Sequence, residues 1–198
     1  MPIYFVRHGQ TDWNRDQRFQ SRSDVPLNAT GVQQARNLRD ALRKRGVVFT
    51  AAACSPLSRA CETAQIILEG TGVVAVSDAR LLEIELGEYE GRRESELRAE
   101  FGDDYTAWRA ANFTIAAPGG EDLATAMHRV GPVMGHWGRH AQRQDVLIVA
   151  HQMINMAMKA VISGVHDRGS LATFKQGNDE VDIWDAAGRR IDCFRACP

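Results

Sequence analysis

Lysine is nearly missing from this chain: only Lys44, Lys159 and Lys175 stand against 21 arginines among 24 cations. Cysteine is scarce too, with four residues (Cys54, Cys61, Cys193, Cys197) in 198. They form no Cys-x-x-Cys pair and no zinc-ribbon spacing, so reduced thiols are predicted in place of a disulfide framework or a zinc fold. Neither sign of charge dominates, since 24 basic and 25 acidic residues leave a formal charge of −1. That excludes the basic surplus which non-specific nucleic-acid binding needs. No apolar run approaches the ~18 residues of a membrane span. The opening Met-Pro-Ile-Tyr-Phe-Val-Arg-His-Gly has no basic segment followed by a long apolar stretch, so no secretory leader is expected. A cytoplasmic chain with neither nucleic acid nor membrane as partner is the resulting expectation.

What is present is an ordinary globular composition, 44% hydrophobic, which rules out disorder. A length of 198 residues suits one domain spanning 1–198 with a continuous core. The 26 alanines beside the 21 arginines have a plain explanation in a GC-rich genome. Arginine is also the side chain that grips phosphate with a planar fork of donors.

Strand and helix signals alternate along the chain. Residues 3–6 (Ile-Tyr-Phe-Val) predict a buried strand running into Arg7-His8-Gly9. Val32, Ala35, Leu38 and Leu42 have helical spacing, and Gly46 closes that helix. A second apolar segment, 49–54, leads to Ser55-Pro56, where Ser55 is predicted as the N-cap of a helix to about Leu68. A strand is predicted at 73–76. Residues 78–120 differ: nine acids face three arginines between Glu83 and Asp104, and the stretch ends at Pro118-Gly119-Gly120. It reads as an inserted cap or loop layer. Helical periodicity resumes over 121–140, the clearest buried strand is 145–150, and a helix follows His151 to about Ser163. Segments 181–184 and 190–194 predict an edge hairpin around Ala187-Gly188. The class is α/β, an open and mostly parallel sheet with helices on both faces.

Two strands end alike, in Val6-Arg7-His8 and in Val149-Ala150-His151. Ligands of such sheets bind beyond the carboxyl ends of the strands, so parallel strands bring His8 and His151 to one edge. The strand before Ser55 brings Arg59 there as well. Two imidazoles, two guanidiniums (Arg7, Arg59) and a helix N-terminus make a crevice for a dianion, and phosphate fits best. Glu83, Glu85, Glu88 and Glu90 crowd one short stretch, and spacing alone does not choose among them.

Arg7-His8-Gly9-Gln10-Thr11 with Trp13-Asn14 resembles the opening motif of the histidine phosphatase superfamily, in its phosphoglycerate-mutase-like branch. Five further blocks follow in the family's order: Asp24 to Gly31 with Gln34-Ala35, Ser55 to Ala64, Leu82 to Gly91, Pro118 to Glu121, and Val149-Ala150-His151. The resemblance implies that His8 is the nucleophile that becomes phosphohistidine. Arg7, Arg59 and His151 then bind the phosphoryl oxygens with Asn14 as a further donor, and Gln20 and Gln152 stand as additional phosphate contacts. Glu83, four residues before Gly87 as in the family pattern, is the general acid and then the base. No cofactor and no metal are implied. Two positions depart from the pattern: Gln152 replaces a common glycine after the second histidine, altering the pocket wall or adding an amide near the phosphoryl group, and Ser21 replaces another after Gln20.

The implied activity is a phosphomonoesterase acting on a small phosphorylated metabolite. The rival in the family is a phosphoglycerate mutase dependent on 2,3-bisphosphoglycerate. Only about 27 residues separate Gly91 from Pro118, where the mutases carry a longer insertion. Outside enzymology, the same scaffold as a non-catalytic phosphate-binding protein is opposed by the joint presence of Arg7, His8, Arg59, Glu83 and His151. His136 and His140, spaced i, i+4, could hold a metal, but their place late in a helix suits a solvent-facing pair favoured by the helix dipole. Met153, Met156 and Met158 read as core. Arg18 and Arg22 read either as the pocket rim meeting a second substrate anion or as plain surface. Nothing shows a self-complementary apolar patch, so no oligomeric state follows.

Overall fold

The computed structural model describes residues 1–111, 113–142 and 144–196, so the reading of Cys197 as a thiol lies outside the described residues. In chain order the elements are β1 (Ile3–Arg7), α1 (Asp12–Arg15), α2 (Ala29–Lys44), β2 (Phe49–Cys54), α3 (Ser58–Leu68), β3 (Val76–Ser77), α4 (Glu94–Ala111), α5 (Leu123–His140), β4 (Asp145–Ala150), α6 (Gln152–Ser163), α7 (Arg168–Ala172), β5 (Glu180–Trp184) and β6 (Arg190–Arg195). One six-stranded sheet runs in the order β3-β2-β4-β1-β5-β6. β1 to β4 are parallel, and β5 and β6 add antiparallel at one side.

The two-residue alternation of β1 and β4 divides the core. Ile3, Phe5, Val146, Ile148 and Ala150 face α5, α6 and the layer over 78–120, whose Leu81, Tyr89, Leu97, Tyr105 and Trp108 pack there. Tyr4, Val6, Leu147 and Val149 face α2 and α3, against Leu38, Leu42, Ala60, Ala64 and Ile67. A strand covered on both faces carries apolar residues at nearly every position, which is why 3–6 and 146–150 read as unbroken apolar runs. Met156 and Met158 are wholly buried among them. Cys54, Cys61 and Cys193 are free thiols.

Two expectations shift. The strand at 73–76 is reduced to Val76–Ser77, and α3 starts at Ser58 with Leu57 as its cap residue, without a side-chain bond. Asp24 supplies the cap from another loop, its Oδ1 accepting both Ser58 N–H (2.8 Å) and Ser58 Oγ–H (2.7 Å). That partner is 34 residues away in the chain, so local pattern could not show it. Ser55 is thereby released for other work.

The loop after β1 is pressed against α2. A Cβ on Gly31 would lie 2.1 Å from the Gln10 carbonyl oxygen, and one on Gly9 2.4 Å from that of Gly31. Gly31→Ala is expected to lower unfolding free energy by about 3 kcal/mol, the upper range for forced overpacking. Urea denaturation measures it, and an unchanged midpoint would show that the helix moves away freely.

Candidate active site

His8, Ser55 and His151 are held at one sheet edge by the backbone ladder itself. His8 N–H donates to Ala150 O and Ser55 N–H to Val149 O, each at 3.0 Å, so β1 and β2 stay tied to β4 one residue past their ends. His151 follows β4 directly as the cap residue of α6. The two imidazole centroids lie 5.1 Å apart. Side chains secure the same loop: Gly9 N–H donates to Thr63 Oγ1 (3.0 Å), and Asn178 Nδ2 donates to His8 O (2.6 Å).

Hydrogen bonding assigns the His8 tautomer. His8 Nδ1 lies 2.7 Å from the Gly9 carbonyl oxygen, an acceptor only, so Nδ1 carries the proton and Nε2 keeps its lone pair. His151 Nε2 lies 2.8 Å from Ser55 Oγ, which also accepts Leu57 N–H at 3.4 Å. Assigning the Ser55 hydroxyl hydrogen to Nε2 puts the imidazole proton on Nδ1, an atom buried without a partner among the described residues. Burial, then the charges of Arg59 and Arg7, hold the His8 pKa well below the usual histidine range; His151 is depressed by burial, then by Arg59 and His8. Both rings are neutral at neutral pH.

The sign of the stability effect follows. Between the ordinary histidine value of about 6.5 and the depressed folded values, the unfolded chain binds protons that the folded one refuses. Stability is therefore full above that value and falls as pH drops through it, by at most about 1.4 kcal/mol per pH unit for each ring. Chemical denaturation from pH 8 to 5 should show this slope, shallower in a His151→Phe variant. Equal slopes would contradict it.

Arg59 is wholly buried near the start of α3. Its Nη1 and Nη2 donate to Ser23 O (2.8 Å) and Ser21 O (2.5 Å), and burial lowers its pKa to about 10. Arg7 Nη1 donates to Gln152 Oε1 (2.8 Å) and Gln176 O (3.4 Å). Gln152 thus orients Arg7, which answers what its departure from glycine does. Ser21, the other departure, places its hydroxyl on Ile84 O (2.6 Å), tying the loop to the layer that carries Glu83.

Among the four crowded acids, the structure brings only Glu83 to this cluster. Its Oε1 accepts the N–H groups of Ile84 (2.9 Å) and Ile154 (3.1 Å), and Oε2 accepts that of Met153 (3.1 Å), at the start of α6. Burial raises its pKa, while those amides and the two arginines pull it down. Elsewhere Glu85 pairs with Arg22 (2.9 Å), Glu88 is exposed, and Glu90 Oε1 accepts Ser21 and Ser23 N–H. Arg22 also pairs with Glu121 (3.5 Å) and does not line the cavity, whereas Arg18 does.

Asn14 and Gln20 form an oriented amide relay. Thr11 N–H donates to Asn14 Oδ1, Asn14 Nδ2 to Gln20 Oε1 (3.1 Å), and Thr11 Oγ1–H to the same Oε1 (2.7 Å). Gln20 Nε2 is left as a buried donor without a partner. With Arg7 Nε, Arg59 Nε and His151 Nδ1, four buried nitrogens of these side chains lack a partner among the described residues. Such groups are normally satisfied, and a bound anion is one source of acceptors. A cavity of about 220 Å³ is bordered by Arg7, Asn14, Gln20, Glu83 and Gln152, while His8, Arg59 and His151 are not among the residues that line it. Sequence reasoning missed Ser55 as the partner of His151, Gln176 as a prop for Arg7, and Arg109 and Lys175 at the cavity. Ser55 and Gln176 act through contacts distant in the chain, and Arg109 and Lys175 are brought to the cavity by the fold alone.

Among the described residues no group of three or more His, Cys, Asp or Glu side chains is arranged to hold a metal. His136 is exposed, and His140 Nδ1 lies 3.0 Å from the Gln144 amide nitrogen. No helix among them is long and apolar enough to cross a membrane.

The model of the histidine phosphatase superfamily (branch 1) matches residues 3–193. A 2,3-bisphosphoglycerate-dependent phosphoglycerate mutase of Parvibaculum lavamentivorans is 34% identical over 155 residues, 75% of this chain and 73% of that one. The adenosylcobalamin/alpha-ribazole phosphatase of Escherichia coli is 30% identical over 166 residues, covering 83% and 80%. A mycobacterial glucosyl-3-phosphoglycerate phosphatase, solved in complex with VO3, superposes with a TM-score of 0.82 at 29% identity over 92% of this chain and 91% of that one.

Proposed function

Because the chain belongs to the histidine phosphatase superfamily, we propose that it is a metal-independent phosphomonoesterase of a small phosphorylated metabolite, acting as one domain over 1–198 in the cytoplasm. The observation that carries the reading is the set of unpartnered buried nitrogens on Arg7, Arg59, His151 and Gln20, together with the His8 imidazole whose Nδ1 is held by the Gly9 carbonyl. Arg7, Arg59, His151 Nδ1–H and Gln20 Nε2 bind the phosphoryl oxygens, with Asn14 and Gln152 orienting Gln20 and Arg7. His8 Nε2 attacks phosphorus in line and the ester P–O bond breaks. Glu83 gives its proton to the leaving oxygen. The resulting carboxylate takes a proton from water, which attacks the phosphohistidine, and inorganic phosphate leaves as His8 returns to its neutral form. Guanidiniums matter most here because negative charge spreads over the equatorial oxygens in the transition state. No cofactor takes part.

Ser55 is a positioning residue in this scheme. Ser55→Ala should lower kcat about tenfold with little change in KM, the loss of one hydrogen bond that aims a transition-state donor. Ser55→Thr should recover most of it; a rise in KM alone would show that Ser55 serves ground-state binding instead.

The relative named a phosphoglycerate mutase supports a second reading, in which 2,3-bisphosphoglycerate primes His8 and the phosphoryl group returns to substrate. The assay is 3-phosphoglycerate with and without 2,3-bisphosphoglycerate. The phosphatase reading expects inorganic phosphate at a rate the bisphosphate does not raise; isomer formation that requires the bisphosphate would overturn it. A non-catalytic phosphate binder would give neither.

A further inference from the structure

Past the phosphoryl-binding groups the cavity has a second half. Phe19, Leu86, Phe113 and Met153 form an apolar wall, and Arg18, Arg109 and Lys175 stand around it. Glu83 is the one carboxylate among the described residues that line it. Four cationic lining side chains, with Arg7, against a single acid are a sharp local excess in a chain whose formal charge is −1. A more open depression that shares Arg7, Arg18, Phe19 and Arg109 continues outward.

We propose that the site takes a phosphomonoester carrying a second anionic group on a small apolar body, with Arg109 and Lys175 holding that anion. This rests on the phosphatase reading and names its substrate class. Arg109 lies in the last turn of α4, where Arg98 is paired with Glu94 one turn earlier on the same helix. Four residues either side of Arg109 stand Tyr105 and Phe113, neither of them acidic; Glu94 of the same helix, which is kinked at Gly102, borders the outer depression with Arg109 and pairs with Arg98. The negative end of the α4 dipole favours a cation at Arg109, but it gives no reason for Lys175, which comes from the segment after α7. Neither has an ion-pair partner among the described residues, although both are exposed. Arg18 Nη1 donates to Gly91 O at 2.8 Å, which anchors that side chain at the rim.

One member of the apolar wall is held at a cost. Phe113 has φ of 69°, the left-handed region that a non-glycine residue enters only when its surroundings hold it there. Its ring stacks edge-on against Trp108 with centroids 5.2 Å apart, and its carbonyl accepts Leu123 N–H at 2.8 Å. A strained aromatic that faces the cavity points to a ligand with an apolar face. The volume of about 220 Å³ lies below the usual range for drug-sized ligands, so the body is about one ring in size.

Three probes test this: para-carboxyphenyl phosphate, its neutral carboxamide analogue of the same shape, and para-phenylene bisphosphate. At low salt the wild type should prefer at least one of the two probes with an anionic far end to the carboxamide about fivefold in kcat/KM, as two partly solvated charge contacts supply. The larger gain identifies carboxylate or phosphate as the second anion. In the Arg109→Gln/Lys175→Gln double variant the values should converge. Equal values in the wild type, or a preference that survives in the variant, would overturn the proposal. Turnover of none of the three would overturn the phosphatase reading and this inference with it, whereas turnover without preference leaves the phosphatase reading standing alone.

Discussion

His8→Ala is expected to lower turnover of any phosphomonoester by on the order of ten-thousand-fold or more, the loss found when a nucleophile is removed from a site acting as a unit. The size follows from what the loop is built to present. The Gly9 carbonyl takes the Nδ1 proton, Asn178 holds the His8 carbonyl, and the ladder to Ala150 fixes the backbone. All of this serves one lone pair on Nε2. Neutrality is equally necessary, and burial beside Arg59 and Arg7 supplies it by depressing the pKa. Folding should survive the change, because alanine leaves no buried charge and removes a ring whose protonation opposed the fold. Circular dichroism and urea denaturation would confirm a folded variant, so that lost activity reports chemistry. A variant retaining a tenth of the wild-type rate would place the nucleophile elsewhere.

Glu83→Gln carries the second large effect, a fall in kcat of about 10²–10⁴-fold for an alkyl phosphate, the usual weight of general acid catalysis. An aryl phosphate, whose phenolate leaves without a proton, should lose far less. The contrast between esters separates proton donation from any general disturbance, which matters because the amide would turn an NH2 toward backbone donors that Glu83 now accepts. Glu83 must be protonated to act. Its pKa is raised by burial and held in check by the Ile84 and Met153 amides and the two arginines. Alkyl-ester turnover should therefore fall as pH rises through that raised value, and the alkaline limb should vanish in the variant. Equal losses on both esters, with the limb intact, would remove Glu83 from the role.

Much of this was legible before any coordinates. Apolar runs at 3–6 and 146–150 read as buried strands, and their shared ending in histidine places His8 and His151 at one edge. Glu83 was different. Periodicity offered four acids, and the family pattern selected the one whose carboxylate meets the start of α6, while tertiary partners disposed of the others: Arg22 takes Glu85 and loop amides take Glu90. The start of α3 was misread for the same physical reason. Ser55-Pro56 has the local signature of a cap, yet Asp24 caps the helix from a distant loop and Ser55 turns to His151. Gln152 likewise gave no local sign that it would orient Arg7. Patterns within one element report burial and period; they do not report which side chain a residue will meet across the fold.

The phosphoenzyme is the most direct test of the account. The protein is mixed with a labelled phosphomonoester, quenched in alkali where phosphohistidine survives, digested, and mapped by mass spectrometry. The account predicts one added phosphoryl group on the peptide bearing His8, lost on mild acid treatment and absent from His8→Ala. A phosphoryl group on another residue, or turnover by an enzyme that never carries one, would contradict it.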